Sequence, residues 1–204
     1  MAVFSVAYGN TMSNEGGYRN VSYDKGGETY KGVARNYNPS WAGWAIIDQV
    51  KKTRKLKTGD YIKSSTLDNL VASFYLGNYW NKNKLGEIKN QSLATLCFDI
   101  VVQHGKGPGS VINTGLQSIE RISAPNSVTA DSVRVMNKAP QASYNAIIAQ
   151  RLTYINSLSL GPDQQPVLAR AKSFLTKYAG DFASAVPWYW VMGSGFFLLF
   201  LKKR

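Results

Sequence analysis

The chain has 204 residues, 44% hydrophobic and 18% charged, which suits one packed domain of ordinary size and excludes a disordered chain. Its 24 Lys and Arg against 12 Asp and Glu leave a net charge of +12, which calls for an anionic partner: nucleic acid, a membrane surface or an acidic wall polymer. A single cysteine, Cys97, excludes an intramolecular disulfide, and one cysteine with one histidine cannot build a zinc site.

In chain order, "MAVFSVAYGN" lacks a basic leader and a small-residue cleavage site, so no secretory signal is expected. Residues 2–14 are a short apolar-leaning helix that runs out into glycines. Residues 16–32 are rich in Gly, Tyr and Thr, too broken for a long helix, and read as a loop with a small β-hairpin. Pro39 and Ser40 open a helix, "WAGWAIIDQVKKTRKL", in which Trp44, Ile47 and Val50 recur at helical spacing. Leu67, Leu70, Val71 and Phe74 mark another helix. Leu93, Leu96, Cys97, Ile100, Val101 and His104 mark the next, apolar enough to be the central buried one and capped by Gly105.

"GSVINTGLQSIERI" follows Pro108 as a further helix, Pro125 and Asn126 mark a turn, and "SVTADSVRVMN" starts on capping residues. Tyr144, Ile147, Ile148, Leu152 and Ile155 define another helix. "GPDQQP" reads as a loop and Val167 to Tyr178 as a final helix stopped by Gly180. The expected fold is mainly α with one small hairpin. Residues 1–90 are the candidate catalytic part, 91–181 a helical second half of the same compact fold, and 182–204 an apolar tail. In that tail Val186 to Leu201 carries no charge and "KKR" follows it. At 1.5 Å per residue it reaches about 24 Å, close to a bilayer core of about 30 Å. A membrane contact is expected there, with a helix packed on the domain as the alternative.

The chemistry concentrates in "SNEGGYRNVSYDKGGETYKG". Glu15 stands where the first helix runs out, Asp24 nine residues later, and Thr29 on the second arm of the hairpin. A carboxylic acid at a helix end, facing a second carboxylate and a hydroxyl, suits glycosidic cleavage: one carboxyl protonates the leaving oxygen while the other activates water or stabilises the cationic sugar. The glycines would let backbone approach a sugar chain, and the tyrosines would offer rings to it. By spacing alone the signal is weak, because Glu and Asp nine apart are common by chance, and a plain polar hairpin is the better reading.

"EGGY" followed by "DKGGETYKGV" resembles the signature of the glycoside hydrolase family 108 muramidases. "LVASFYLGNYWN" with Tyr79-Trp80, "LATLCFDIVVQHG", "INTGLQSIE" and "RLTYINSL" resemble later segments of the same family, so the likeness runs over about residues 3–180. The order of Glu, Asp and Thr is also similar to that of phage-type lysozymes, with the second gap one residue shorter. The resemblance implies a lysozyme-like fold, a peptidoglycan-binding second half, and hydrolysis of the β-1,4 bond after N-acetylmuramic acid by a phage or prophage enzyme. It implies no cofactor or metal, and a monomer at the cell envelope. Glu15 would be the proton donor. Asp24 is the candidate second carboxylate, Thr29 a candidate catalytic hydroxyl, and Glu28 a more distant choice because nothing in the motif requires an acid there.

Tyr18, Tyr30, Trp41 and Trp44 are candidate sugar-stacking rings, with core packing as the alternative for the two tryptophans. His104 is a candidate substrate-binding residue, although its place on an apolar stripe favours a core or helix-end histidine. Cys97 reads as plain core, and Asp99 as a buried structural carboxylate. Three other functions compete: a chitosanase-like hydrolase, a non-catalytic wall-binding or secretion-accessory protein, and a nucleic-acid binder. The last has no recognisable motif to support it.

Overall fold

The computed structural model describes residues 1–13, 16–21, 24–104 and 107–177. The candidate acid Glu15, the expected cap Gly105, the expected stop Gly180 and the apolar tail lie outside the described residues. Eight helices and a three-stranded antiparallel sheet order those residues, so the fold is mainly α as expected. They run α1 (Phe4–Met12), β1 (Tyr18–Arg19), β2 (Thr29–Tyr30), β3 (Val33–Ala34), α2 (Gly43–Thr53), α3 (Ser65–Tyr75), α4 (Gln91–Gln103), α5 (Pro108–Leu116), α6 (Ala130–Lys138), α7 (Pro140–Ser157) and α8 (Gln164–Lys177).

Helix α4 is the hub. Ten consecutive residues from Ser92 to Val101 are buried, so it is covered on all sides rather than along one stripe. Asn90 starts it by accepting the Leu93 N–H at 2.9 Å. Helix α1 packs on it through Phe4, whose ring meets Phe98 and Trp80 edge-on at 5.7 Å each. One continuous apolar core runs from Ala7 in α1 through α4 to Phe174 in α8. A smaller cluster of Ile155, Leu168 and Ala171 joins α7 to α8.

Several boundaries differ from expectation for identifiable reasons. Helix α3 passes into a π-helical turn at Leu76–Asn81, which brings Trp80 onto Phe98. Helix α5 stops at Leu116, where the Gln117 side chain donates to the Ile122 carbonyl instead of the helix continuing. Helix α8 starts inside the expected loop, because Pro166 falls in its first turn, where a missing N–H costs nothing. The sheet has three strands rather than two. Lys31 and Gly32, both with positive φ (43° and 79°), form a two-residue turn between β2 and β3.

Candidate active site

The glycines of the N-terminal motif have structural duties. A Cβ on Gly17 would sit 2.4 Å from the Asp60 carbonyl oxygen, so only glycine lets the 57–60 loop lie against β1. There the Tyr18 N–H donates to Asp60 O and the Gly59 N–H to Tyr18 O, both at 2.8 Å. Gly27 has φ +67° and would collide with Asn36 if substituted. The expectation that these glycines clear room for a sugar chain therefore gives way to close backbone packing at Gly17 and turn geometry at Gly27 and Gly32.

Residue by residue, the hairpin lobe corrects several expectations. Tyr30 is fully buried, its hydroxyl accepting from the Ile62 N–H at 3.2 Å. Tyr18 is buried too and donates to Glu28 at 2.8 Å. Burial first, then the Glu28 carboxylate, raises the Tyr18 phenol above its ordinary pKa. Trp44 is buried beneath the Arg35 guanidinium, which lies 4.6 Å from its ring, and its indole N–H donates to Asn38 O at 2.7 Å. None of these three rings offers a face for stacking. Trp41 is half-buried, edge-on to Trp44 and against Phe74. Asp24 accepts the Gly26 N–H at 2.8 Å and so closes its own turn. Thr29 donates to the Gly27 carbonyl at 3.2 Å.

Glu28, which the motif left without a purpose, is the keystone of this lobe. Its buried carboxylate accepts from Tyr18, pairs with Lys51 at 2.7 Å and with Arg35 at 2.9 Å, and thereby ties the sheet to α2. The hydrogen bond to Glu28, outweighing partial burial, raises the Lys51 pKa.

Two features meet at the C-terminal end of α1, the helix that leads into Glu15. On one side is a cavity of about 460 Å³. Tyr8, Met12 and Ser13 of the α1 end line it together with Lys31 of the hairpin turn, Tyr61, and Asp68, Asn69 and Ala72 of α3. Asp68 pairs with Lys31 at 2.7 Å, and the Lys31 ammonium lies 5.7 Å from the Tyr61 ring centre. Tyr75 fixes the turn by donating to Lys31 O at 2.9 Å. Burial and then the Asp68 charge push the Tyr8 phenol up to about 12, so it stays a hydrogen-bond donor at every ordinary pH. Sequence reasoning missed Lys31, Tyr61 and Asp68. The capping Ser64 four residues before Asp68 was the available sign that α3 starts there.

On the other side is a buried ionic cluster. The Thr11 hydroxyl donates to Asp99 at 3.4 Å, and Asp99 is clasped by Arg151 and Arg170, the latter at 2.7 Å. Burial opposes the Asp99 charge, but the two guanidinium groups outweigh it and hold the carboxyl below its ordinary pKa. Asp99 is buried, as expected, and its partners are the side chains of Thr11, Arg151 and Arg170. Burial, the largest influence on Arg151, lowers its pKa against the pull of Asp99.

His104 ends α4 and lines a separate cavity of about 440 Å³ with Tyr154, Leu158 and Val167, its ring edge-on to Tyr154. Burial, with Arg151 adding repulsion, lowers its pKa to about 4. It is therefore neutral at ordinary pH and outside the cavity beside α1. Among the described residues there is no cluster of ligands for a metal ion.

The family description Glycosyl hydrolase 108 matches residues 8–105, which span the end of α1, the sheet, the α1 cavity and all of α4. This segment, just under half of the chain, is similar to the glycosyl hydrolase 108 family. The match supports glycoside hydrolase activity. A solved structure of Brucella abortus SagA is similar in fold, with a TM-score of 0.59 and 18% identity over 89% of this chain and 97% of that one. No curated protein matches the chain.

Proposed function

We propose that this chain is an N-acetylmuramidase of the glycosyl hydrolase 108 type. It cleaves the β-1,4 bond between N-acetylmuramic acid and N-acetylglucosamine in peptidoglycan, with Glu15 as general acid. The observation that carries this reading is the position of the family's match: residues 8–105 hold the whole EGGY motif, between the end of α1 and β1. The cavity lined by Ser13, Tyr61, Asn69 and the Lys31–Asp68 pair supports it, offering hydroxyl, amide and aromatic groups suited to a sugar. Asp68 joins Asp24 as a candidate second carboxylate, since it is the carboxylate that faces the described cavity.

Glu15→Gln keeps the shape of the side chain but cannot donate a proton. The release of reducing ends from purified peptidoglycan should fall by about 10²–10⁴-fold with the fold unchanged by circular dichroism. Wild-type rates from that variant would refute the assignment. Chitosan should be spared, which separates a muramidase from a chitosanase-like enzyme.

The tail from Pro187 to Leu201 is proposed to enter a membrane, with Trp188, Tyr189 and Trp190 at the interface and Lys202, Lys203 and Arg204 beyond it. Among the described residues no helix is long and apolar enough to cross a membrane. Truncation after Phe182 should yield an active enzyme that no longer sediments with vesicles, whereas the full chain should sediment.

A further inference from the structure

The segment 51–63, "KKTRKLKTGDYIK", holds six cations and one acid. Its structure separates them into two kinds. Lys51 and Arg54 are paired with acids: Lys51 with Glu28, and Arg54 with Asp60 at 3.0 Å. Asp60 is spent again on the Lys57 N–H, at 3.0 Å. Lys52, Lys55, Lys57 and Lys63 are exposed and make no ion pair among the described residues.

Beyond α2 this segment is a strap pinned at two points. Leu56 and Ile62 are buried in the core, and the backbone of residues 59 and 60 bonds to Tyr18. Alternation around each pin turns the neighbours outward: Lys55 and Lys57 around Leu56, Tyr61 and Lys63 around Ile62. Tyr61, 60% exposed, is also a wall of the cavity at the end of α1, where the Lys31 ammonium approaches its ring. The exposed cations thus belong to the same pinned segment as Tyr61, a wall of that cavity.

We infer that this strap is a recognition surface for the carboxylates of the peptide branches carried by the glycan strand. Sugars of the strand would occupy the cavity while their acidic branches lie along Lys52, Lys55 and Lys63. The inference rests on the muramidase reading and adds a preference for peptide-bearing over bare glycan. The charges match, and Lys52, Lys55 and Lys63 stand exposed without acidic partners among the described residues. Lys51 is not part of the surface, because Glu28 holds it.

The test is co-sedimentation of the full chain with sacculi freed of phosphate polymers, before and after amidation of their peptide carboxylates. Amidation should weaken wild-type binding roughly tenfold, the order expected for three exposed ion pairs. The K52Q/K55Q/K63Q variant should bind untreated sacculi as weakly as wild type binds amidated ones, and should ignore amidation. Wild-type binding that is indifferent to amidation would overturn the inference, as would a variant that still senses it fully. Affinity lost only when phosphate polymers are removed would assign the strap to those polymers instead, and so overturn it. Reducing-end release from the same sacculi is read separately. Carboxylate-dependent binding without hydrolysis would sink the muramidase reading while leaving the strap in place.

Discussion

Two carboxylates in this molecule are each held between two cations, and they stand in opposite circumstances. Asp99, 1% exposed, lies between Arg151, with no exposure at all, and Arg170. Glu28 is almost as buried, but its partners Arg35 and Lys51 keep 29% and 37% of their side-chain surface in water. The first cluster gives up the hydration of three ions and must recover it through mutual contact. The second gives up one ion's hydration and lets the others keep most of theirs. The lesson is that equal numbers of ion pairs do not mean equal stakes: the helical half depends on its cluster being complete, and the hairpin lobe tolerates a partial one.

That contrast is most exposed to test at Asp99. Asp99→Asn leaves Arg151 buried and charged with no counter-ion, and should cost about 3–5 kcal/mol of unfolding free energy in urea titration. A loss under about 1 kcal/mol would erase the distinction between the clusters. Glu28→Gln should cost less, about 2 kcal/mol, because Arg35 keeps Asp48 at 2.7 Å and Lys51 can turn to solvent. Hydrogen exchange should show the loss confined to amides of the sheet and of α2, with α4 still protected.

What was legible in the sequence follows the same division. Helices α3 and α4 were readable because Leu67, Val71, Leu93 and Leu96 recur at helical spacing, although α4 is buried on every side rather than along one stripe. The family was readable because the EGGY and GGETYKG segments are contiguous. Strands of two residues carry no period, so the third strand was not visible. Asp99 and Arg151 lie 52 residues apart, and nothing local to either predicts the other. Tyr18 and Tyr30 were misplaced in the cleft for a related reason. Next to a catalytic motif an aromatic ring looks like a subsite, whereas here Glu28, Ile62 and Asp60 draw both rings and their backbone inward.

The completeness of the Asp99 cluster can be sharpened with pH. His104 sits beside it with a pKa near 4, well below that of an ordinary imidazole. The folded chain takes up that proton only near pH 4, while the unfolded chain takes it up near 6.5. The sign follows: the stability that comes from keeping the ring neutral is complete above about pH 6.5 and is lost as pH falls toward 4. The ring is half-buried, so the loss should be about 2 kcal/mol after allowance for solvent screening. His104→Gln should flatten the stability curve over this interval. A curve of unchanged slope would show that the ring meets more water than its place at the end of α4 implies.

The smallest effect is the one that best separates holding from displaying a charge. Lys51 and Lys52 are neighbours at the C-terminal end of α2, where either cation is favoured by the helix dipole to the same small degree. Only Lys51 reaches Glu28, at 2.7 Å, with Asp48 at 3.7 Å. Lys51→Gln should therefore destabilise by about 1 kcal/mol, limited because Arg35 remains on Glu28 and because Lys51 is partly solvated. Lys52→Gln should lie within about 0.5 kcal/mol of wild type, as surface changes away from specific partners do. Measured side by side by thermal unfolding, the pair removes composition, helix position and net charge as variables, leaving the ion pair alone. Equal losses would mean that the charge at the helix end, rather than the Glu28 contact, stabilises this corner, and the hairpin lobe would then hold no ionic cluster in the energetic sense.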